Sequence, residues 1–101
     1  MARPTKTEVL VSILEMEDDL TLAAELAGEL WDAGVEAEFF LSKSIQKHFE
    51  YANKSRIPWM VLVGEPEVKE GVVKLKDLEG SNHVNIPRQG FVEELRKRFY
   101  P

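Results

Sequence analysis

The spacing of apolar and polar positions changes several times along the chain, and each change marks an element. EVLVSILEM places Val9, Val11 and Ile13 on one side and Leu10 and Leu14 on the other, the pattern of a strand buried on both faces. EDDLTLAAELAGELWDAG then shifts to helical spacing through Ala23, Leu26, Ala27, Leu30 and Trp31, with Asp18 or Asp19 as cap and complement to the helix dipole. Gly34 is the expected left-handed stop. VEAEFFL returns to period two, with Val35, Ala37, Phe39 and Leu41 alternating against Glu36, Glu38 and Phe40. Strand, helix and strand in so short a span make a right-handed parallel crossover.

SKSIQKHFEYANKSRI predicts a second helix, capped by Ser42 or Ser44, that buries Ile45, Phe49 and Ala52 and leaves His48 and Tyr51 at its margin. Pro58 ends it, and WMVLV is a third buried strand. After Gly64 the character changes. GEPE reads as a turn, VVKLK and HVNI as short strands joined at EGSN, and Pro87 as the opening of a last helix through Phe91, Val92, Leu95 and Phe99. The predicted architecture is α/β: a three-layer α/β/α domain with a five-stranded mixed sheet and three helices.

Composition narrows this without changing it. The 101 residues suit one domain, expected over 8–99 behind a disordered tail at 1–7. Hydrophobic residues make up 44% and charged residues 31%, values of an ordinary globular domain. No apolar run approaches membrane-spanning length, MARPTKTE lacks a signal-peptide core, and the absence of Cys rules out disulfides and thiolate metal sites. The expectation is a protein of the cytoplasm or of an organelle interior, with no membrane partner. The net charge of −5 is unevenly spread: residues 1–41 hold two bases against ten acids, net −8, whereas residues 42–101 hold eleven bases against eight acids, net +3. Such a split fits one face that repels anions and one that accepts them, although a mixed solvated surface has the same signature.

Candidate chemistry is sparse. His48 and His83 have no serine or carboxylate at a spacing that singles them out for catalysis, and both are expected at the surface or the core edge. The glycines, at 28, 34, 64, 71, 80 and 90, fit neither phosphate-loop pattern. The acidic run Glu15 to Asp19 follows the first strand, where open α/β sheets bind ligands, but a magnesium pocket would need further groups after later strands, and helix capping is the stronger account. The stretch GEPEVKEGVVKLKD, Gly64 to Asp77, is the most suggestive. Val73 and Leu75 point to one face of its strand and Val72, Lys74 and Lys76 to the other, beside Glu65 and Glu67. Glutamate accepts hydrogen bonds from the amines of unstacked bases and lysine reaches phosphate or a base carbonyl. Cross-strand Glu and Lys pairs on an exposed sheet account for the same residues equally well.

The order of VLVS, ELWDAGVEAEF, IPWMVLVGEPEVKEGVVKLKDL and FVEELRKR, from about Glu8 to Arg98, resembles the carboxyl-terminal anticodon-binding domain of class II aminoacyl-tRNA synthetases, in its eukaryotic histidyl form. The resemblance implies the same mixed sheet and a role in gripping a tRNA anticodon stem-loop for a separate catalytic domain, which would hold ATP and magnesium. No cofactor is implied here. It further implies that Glu67 is the base-reading acid of the G-[DE]-x-E turn, that Lys76 is the basic residue of the next strand in place of a frequent arginine, and that Ser42, Lys43 and Ser44 form the polar loop after the second strand. Lys43, Lys47, Lys54 and Arg56 would supply a basic stripe for phosphates, with Lys74 and Glu65 beside the reading head. The isolated domain is expected to be a monomer and its parent a homodimer. The alternative implied by the resemblance is a regulatory domain of the same fold that has lost base recognition, as in the synthetase-like region of the translation-regulating stress kinase.

Overall fold

The computed structural model describes residues 6–99. Its elements run β1 (Val9–Ile13), α1 (Asp19–Asp32), β2 (Ala37–Leu41), α2 (Ile45–Ser55), β3 (Trp59–Val63), α3 (Glu65–Glu70), β4 (Val72–Asp77), β5 (Asn82–Pro87) and α4 (Phe91–Phe99). One five-stranded sheet has the order β2-β1-β3-β4-β5. The first three strands are parallel, Val11 lying opposite Phe39 on β2 and Val61 on β3. β4 then returns antiparallel to β3, and β5 antiparallel to β4.

β1 is buried at every residue because it is central in the parallel part and covered on both faces. Val9, Val11 and Ile13 pack with α1 and α4 through Ala23, Leu26, Leu30, Phe91 and Leu95. Leu10 packs on the opposite face with Met60, Leu62 and Ala52 of α2. The sheet is thus the middle of three layers, the expected α/β/α arrangement. Phe91 and Leu95, both fully buried, each contribute roughly 2 kcal/mol of apolar burial and hold α4 to the sheet.

Several local expectations need revision. GEPE is not a turn but the first turn of α3, a six-residue helix between β3 and β4; it adds a short fourth helix to the three expected. Pro87 does not open the last helix: it is the final residue of β5, paired with Val72, and α4 begins at Phe91. Asp18 is the N-cap of α1, yet its side chain makes no capping bond and its backbone is left-handed. Gly34 does stop α1 in the left-handed conformation. Its N–H reaches Trp31 O at 2.9 Å and the Val35 N–H reaches Leu30 O at 2.9 Å, the paired bonds of a Schellman stop.

The expected tail at 1–7 falls partly outside the described residues. Of its described members, Lys6 is exposed, whereas Thr7 is buried and its hydroxyl donates to the Glu38 carboxylate.

Candidate nucleic-acid interface

β2, β1 and β3 run parallel, so their carboxyl ends share one edge of the sheet. Leu14 N–H donates to Val63 O at 2.9 Å, and Glu15 N–H donates to Ser42 O at 3.3 Å. This edge therefore brings together the loop after β2 and the start of α3. Ser42, Lys43 and Ser44 form that loop. Ser42 Oγ accepts from the Ser44 N–H at 3.1 Å, and Ser44 Oγ, the true cap of α2, accepts from the Lys47 N–H at 3.4 Å. Lys43 and Lys47 are exposed on either side of the cap.

Glu65 and Glu67 occupy the first turn of α3. Glu65 is exposed. Glu67 is 91% buried, and its Oε1 accepts from the Gly64 N–H at 2.7 Å, satisfying a donor that the helix start leaves unpaired. Gly64 is closely packed: a Cβ there would lie 3.1 Å from Leu14 Cδ1 and 3.2 Å from Glu67 Oε1. The acid expected to read a base is thus largely buried and anchored by one oxygen to its own backbone.

Lys74 and Lys76 sit on β4 opposite Leu62 and Met60 of β3 and opposite Asn85 and His83 of β5. Directly paired residues project to the same face, so this face carries an apolar half and a polar half. α2 covers β2, β1 and β3 through Ala52, Phe49 and Tyr51. It does not reach β5, where His83 and Asn85 are exposed. A cleft of about 300 Å³ opens where the two halves meet, lined by Phe49 and Asn53 of α2, Lys76 and Asp77 of β4, Leu78 and Ser81 of the turn, and Asn82 and His83 of β5. Lys76 Nζ lies 5.6 Å from the Phe49 ring centre, within reach of a cation–π contact. Partial burial, and then the charge of Lys74, hold the Lys76 ammonium below the usual lysine range; an anion in the cleft would favour its charged form.

The remaining cations of the expected stripe follow α2. Lys54 lies in its last turn, and Arg56, beyond it, is left-handed and exposed. The helix is pinned to the edge strand by Tyr51, whose hydroxyl donates to Glu38. That bond, with burial and the carboxylate charge, raises the tyrosine pKa. Tyr51 stacks on Phe40 at 5.3 Å, and Phe40 meets His48 edge-on at 4.9 Å.

The structure therefore places the sequence-derived residues in two groups. Ser42, Lys43, Ser44, Lys47, Glu65 and Glu67 line the carboxyl edge; Lys74 and Lys76 lie on β4, Lys76 two positions farther from that edge. Phe49, Asn53, His83 and Asn85 were not singled out as candidates. The alternation in HVNI was the available signal for His83 and Asn85, since it sets both on one side of the strand that pairs with VVKLK. Among the described residues, no group of three or more His, Asp or Glu is placed to hold a metal ion.

Residues 8–98 match the family described as the anticodon binding domain. The chain is 53% identical over 96 residues to the cytoplasmic histidine–tRNA ligase of Oryza sativa subsp. japonica, covering 95% of this chain and 12% of that protein. It is 50% identical over 99 residues to the cytoplasmic histidine–tRNA ligase of Arabidopsis thaliana, covering 94% of this chain and 11% of that protein. The chain thus spans about an eighth or less of these relatives. Among solved structures, the histidyl-tRNA synthetase of Nostoc sp. PCC 7120 superposes with a TM-score of 0.86 at 26% identity, over 96% of this chain and 23% of that one.

Proposed function

The chain belongs to the anticodon-binding domain family, and from that premise we propose that it binds the anticodon stem-loop of a histidine tRNA on behalf of a catalytic region elsewhere in its parent protein. The observation that carries the proposal is the half-covered sheet face. α2 reaches Lys76 of β4 through Phe49 but not β5, leaving His83 and Asn85 exposed beside the half-buried Lys74 and Lys76. An unstacked base needs a ring or guanidinium to stack on and polar groups at its edges, and the neighbouring phosphates need cations. Phe49 with Lys76, Asn53 and His83, and Lys43 with Lys47, supply these groups.

The charge division supports the same face. Residues 7–42 contain no Lys or Arg, so α1 and the edge of β2 repel a polyanion and steer it toward α2 and β4. The relatives named as histidine–tRNA ligases support the histidine assignment and a cytoplasmic setting. Aminoacylation, with its ATP and magnesium, is assigned to the parent's catalytic region, and the parent is assigned as a homodimer whose isolated anticodon-binding domain is monomeric.

The test is a titration of a labelled histidine-tRNA anticodon stem-loop, beside one with a changed anticodon, at several salt concentrations. The cognate loop should bind more tightly. Affinity should fall linearly on a logarithmic salt scale, and Lys74→Ala and Lys76→Ala should each reduce that slope by about 0.7 to 0.9 if the lysine neutralises one phosphate. Equal affinity for both loops, or binding indifferent to salt, would overturn the proposal.

A further inference from the structure

His48 lies near the start of α2 and is fully buried, although the sequence placed it at the helix margin. Its Nε2 is 2.8 Å from the Ser42 carbonyl. A carbonyl only accepts, so Nε2 must carry the proton. Nδ1 is buried with no hydrogen-bond partner among the described residues, and the ring packs against the edge-on Phe40. A second proton at Nδ1 would have no acceptor, consistent with burial lowering the pKa of the ring. An apolar side chain would fill this space without leaving a nitrogen unpaired. The particular contribution of histidine is therefore the donor it aims at Ser42.

That carbonyl anchors the loop after β2. It also accepts from the Glu15 N–H at 3.3 Å, and the Ser42 N–H donates to Ile13 O at 3.3 Å. From there Ser42 Oγ holds the Ser44 N–H, and Ser44 Oγ holds the Lys47 N–H. The chain of bonds begins inside the core at His48 and ends at the backbone of the exposed Lys47, with the exposed Lys43 lying between the two serines. We propose that His48 is the positioning residue of the interface, a neutral imidazole that sets the loop of Ser42, Lys43 and Ser44 in the shape that meets RNA. This rests on the RNA-binding proposal above, and it assigns His48 no contact with the ligand.

The experiment compares stem-loop affinity and thermal stability for the 101-residue chain, two variants without the donor (His48→Phe and His48→Leu) and His48→Gln, whose amide N–H2 can occupy the place of Nε2. Each is also made in a Lys43→Ala background. The donor-less variants should bind about fivefold to tenfold more weakly, as expected for loss of one hydrogen bond's worth of order. Gln should recover most of that loss. In the Lys43→Ala background His48→Phe should lose much less, because the cation that it positions is already gone. Full affinity in both donor-less variants, absence of rescue by Gln, or strictly additive losses would overturn the inference while leaving the RNA proposal intact. A wild-type chain that binds neither loop would overturn the RNA proposal itself, and this inference with it.

Discussion

Replacing Glu67 separates its observed capping bond from the base contact that the resemblance implies for it. Its Oε1 is 2.7 Å from the buried Gly64 N–H at the start of α3. Glu67→Ala removes the acceptor of that N–H, and leaving a buried donor unsatisfied costs about 1 to 3 kcal/mol, while loss of a helix cap costs about 0.5 to 2. We expect about 1.5 kcal/mol, which in a domain of this size lowers Tm by roughly 6 to 12 °C. Glu67→Gln keeps an oxygen that can take the same bond and loses only the favourable charge at the helix start, about 0.5 kcal/mol. Thermal unfolding followed by circular dichroism gives both values. RNA titration is then run at a temperature where all three proteins are folded. If Glu67 also reads a base, Glu67→Gln should keep its stability and lose discrimination between the cognate and changed loops. An alanine variant that melts within about 2 °C of wild type would refute the capping account, since no reasonable estimate of the lost bond is that small. A glutamine variant that still discriminates would remove Glu67 from the reading head.

Protonation of His48 should be visible in stability. Its folded pKa lies below the ordinary 6.5, so its contribution is complete above that value and is lost as pH falls from 6.5 toward the folded pKa. Denaturant midpoints from pH 8 to 5 should therefore drop more in wild type than in His48→Phe, and parallel curves would contradict the buried neutral ring. Arg88 donates to both Glu29 oxygens, at 3.1 and 2.5 Å, and its guanidinium lies 5.4 Å from the Phe91 ring centre. Arg88→Ala should cost about 1 kcal/mol, mostly through the stacking and the paired geometry because the ion pair is part-exposed, and chemical denaturation in 1 M salt should retain most of that loss. Gly64→Ala should lower Tm through the crowding of Leu14 and Glu67, and an unchanged Tm would mean that α3 shifts freely.

The layers were legible in the chain because burial imposes a period on a long element. β1, with Val9, Val11 and Ile13 set against Leu10, could only be covered on both faces, and α1, β2 and β3 followed from the same rule. The resemblance carried the function further than period could. What failed were short segments where two local preferences compete. GEPE has the composition of a turn, but a Pro just inside the start and a Glu three residues after the Gly also suit a helix, and only the fixed gap between β3 and β4 selects the helix. Pro87 suits both a helix start and the last position of an edge strand, and pairing with Val72 decides for the strand.

The amino-acid order by itself determined that β1 and β3 are core strands, which half of the chain is basic, and that Lys74 and Lys76 share one side of a strand. Tertiary structure decided what stands next to them. How far α2 extends over the sheet depends on the angle and length of a packed helix, and its reach leaves His83 and Asn85 exposed beside a half-buried Lys76. His48 went inside and Ile45 outside because a hydrogen bond to Ser42 offsets part of the cost of burying an imidazole, and neither the bond nor its partner's position is encoded in helical period. Glu67 turned toward its own backbone for the same reason: the donor it satisfies exists only once α3 has formed between two paired strands.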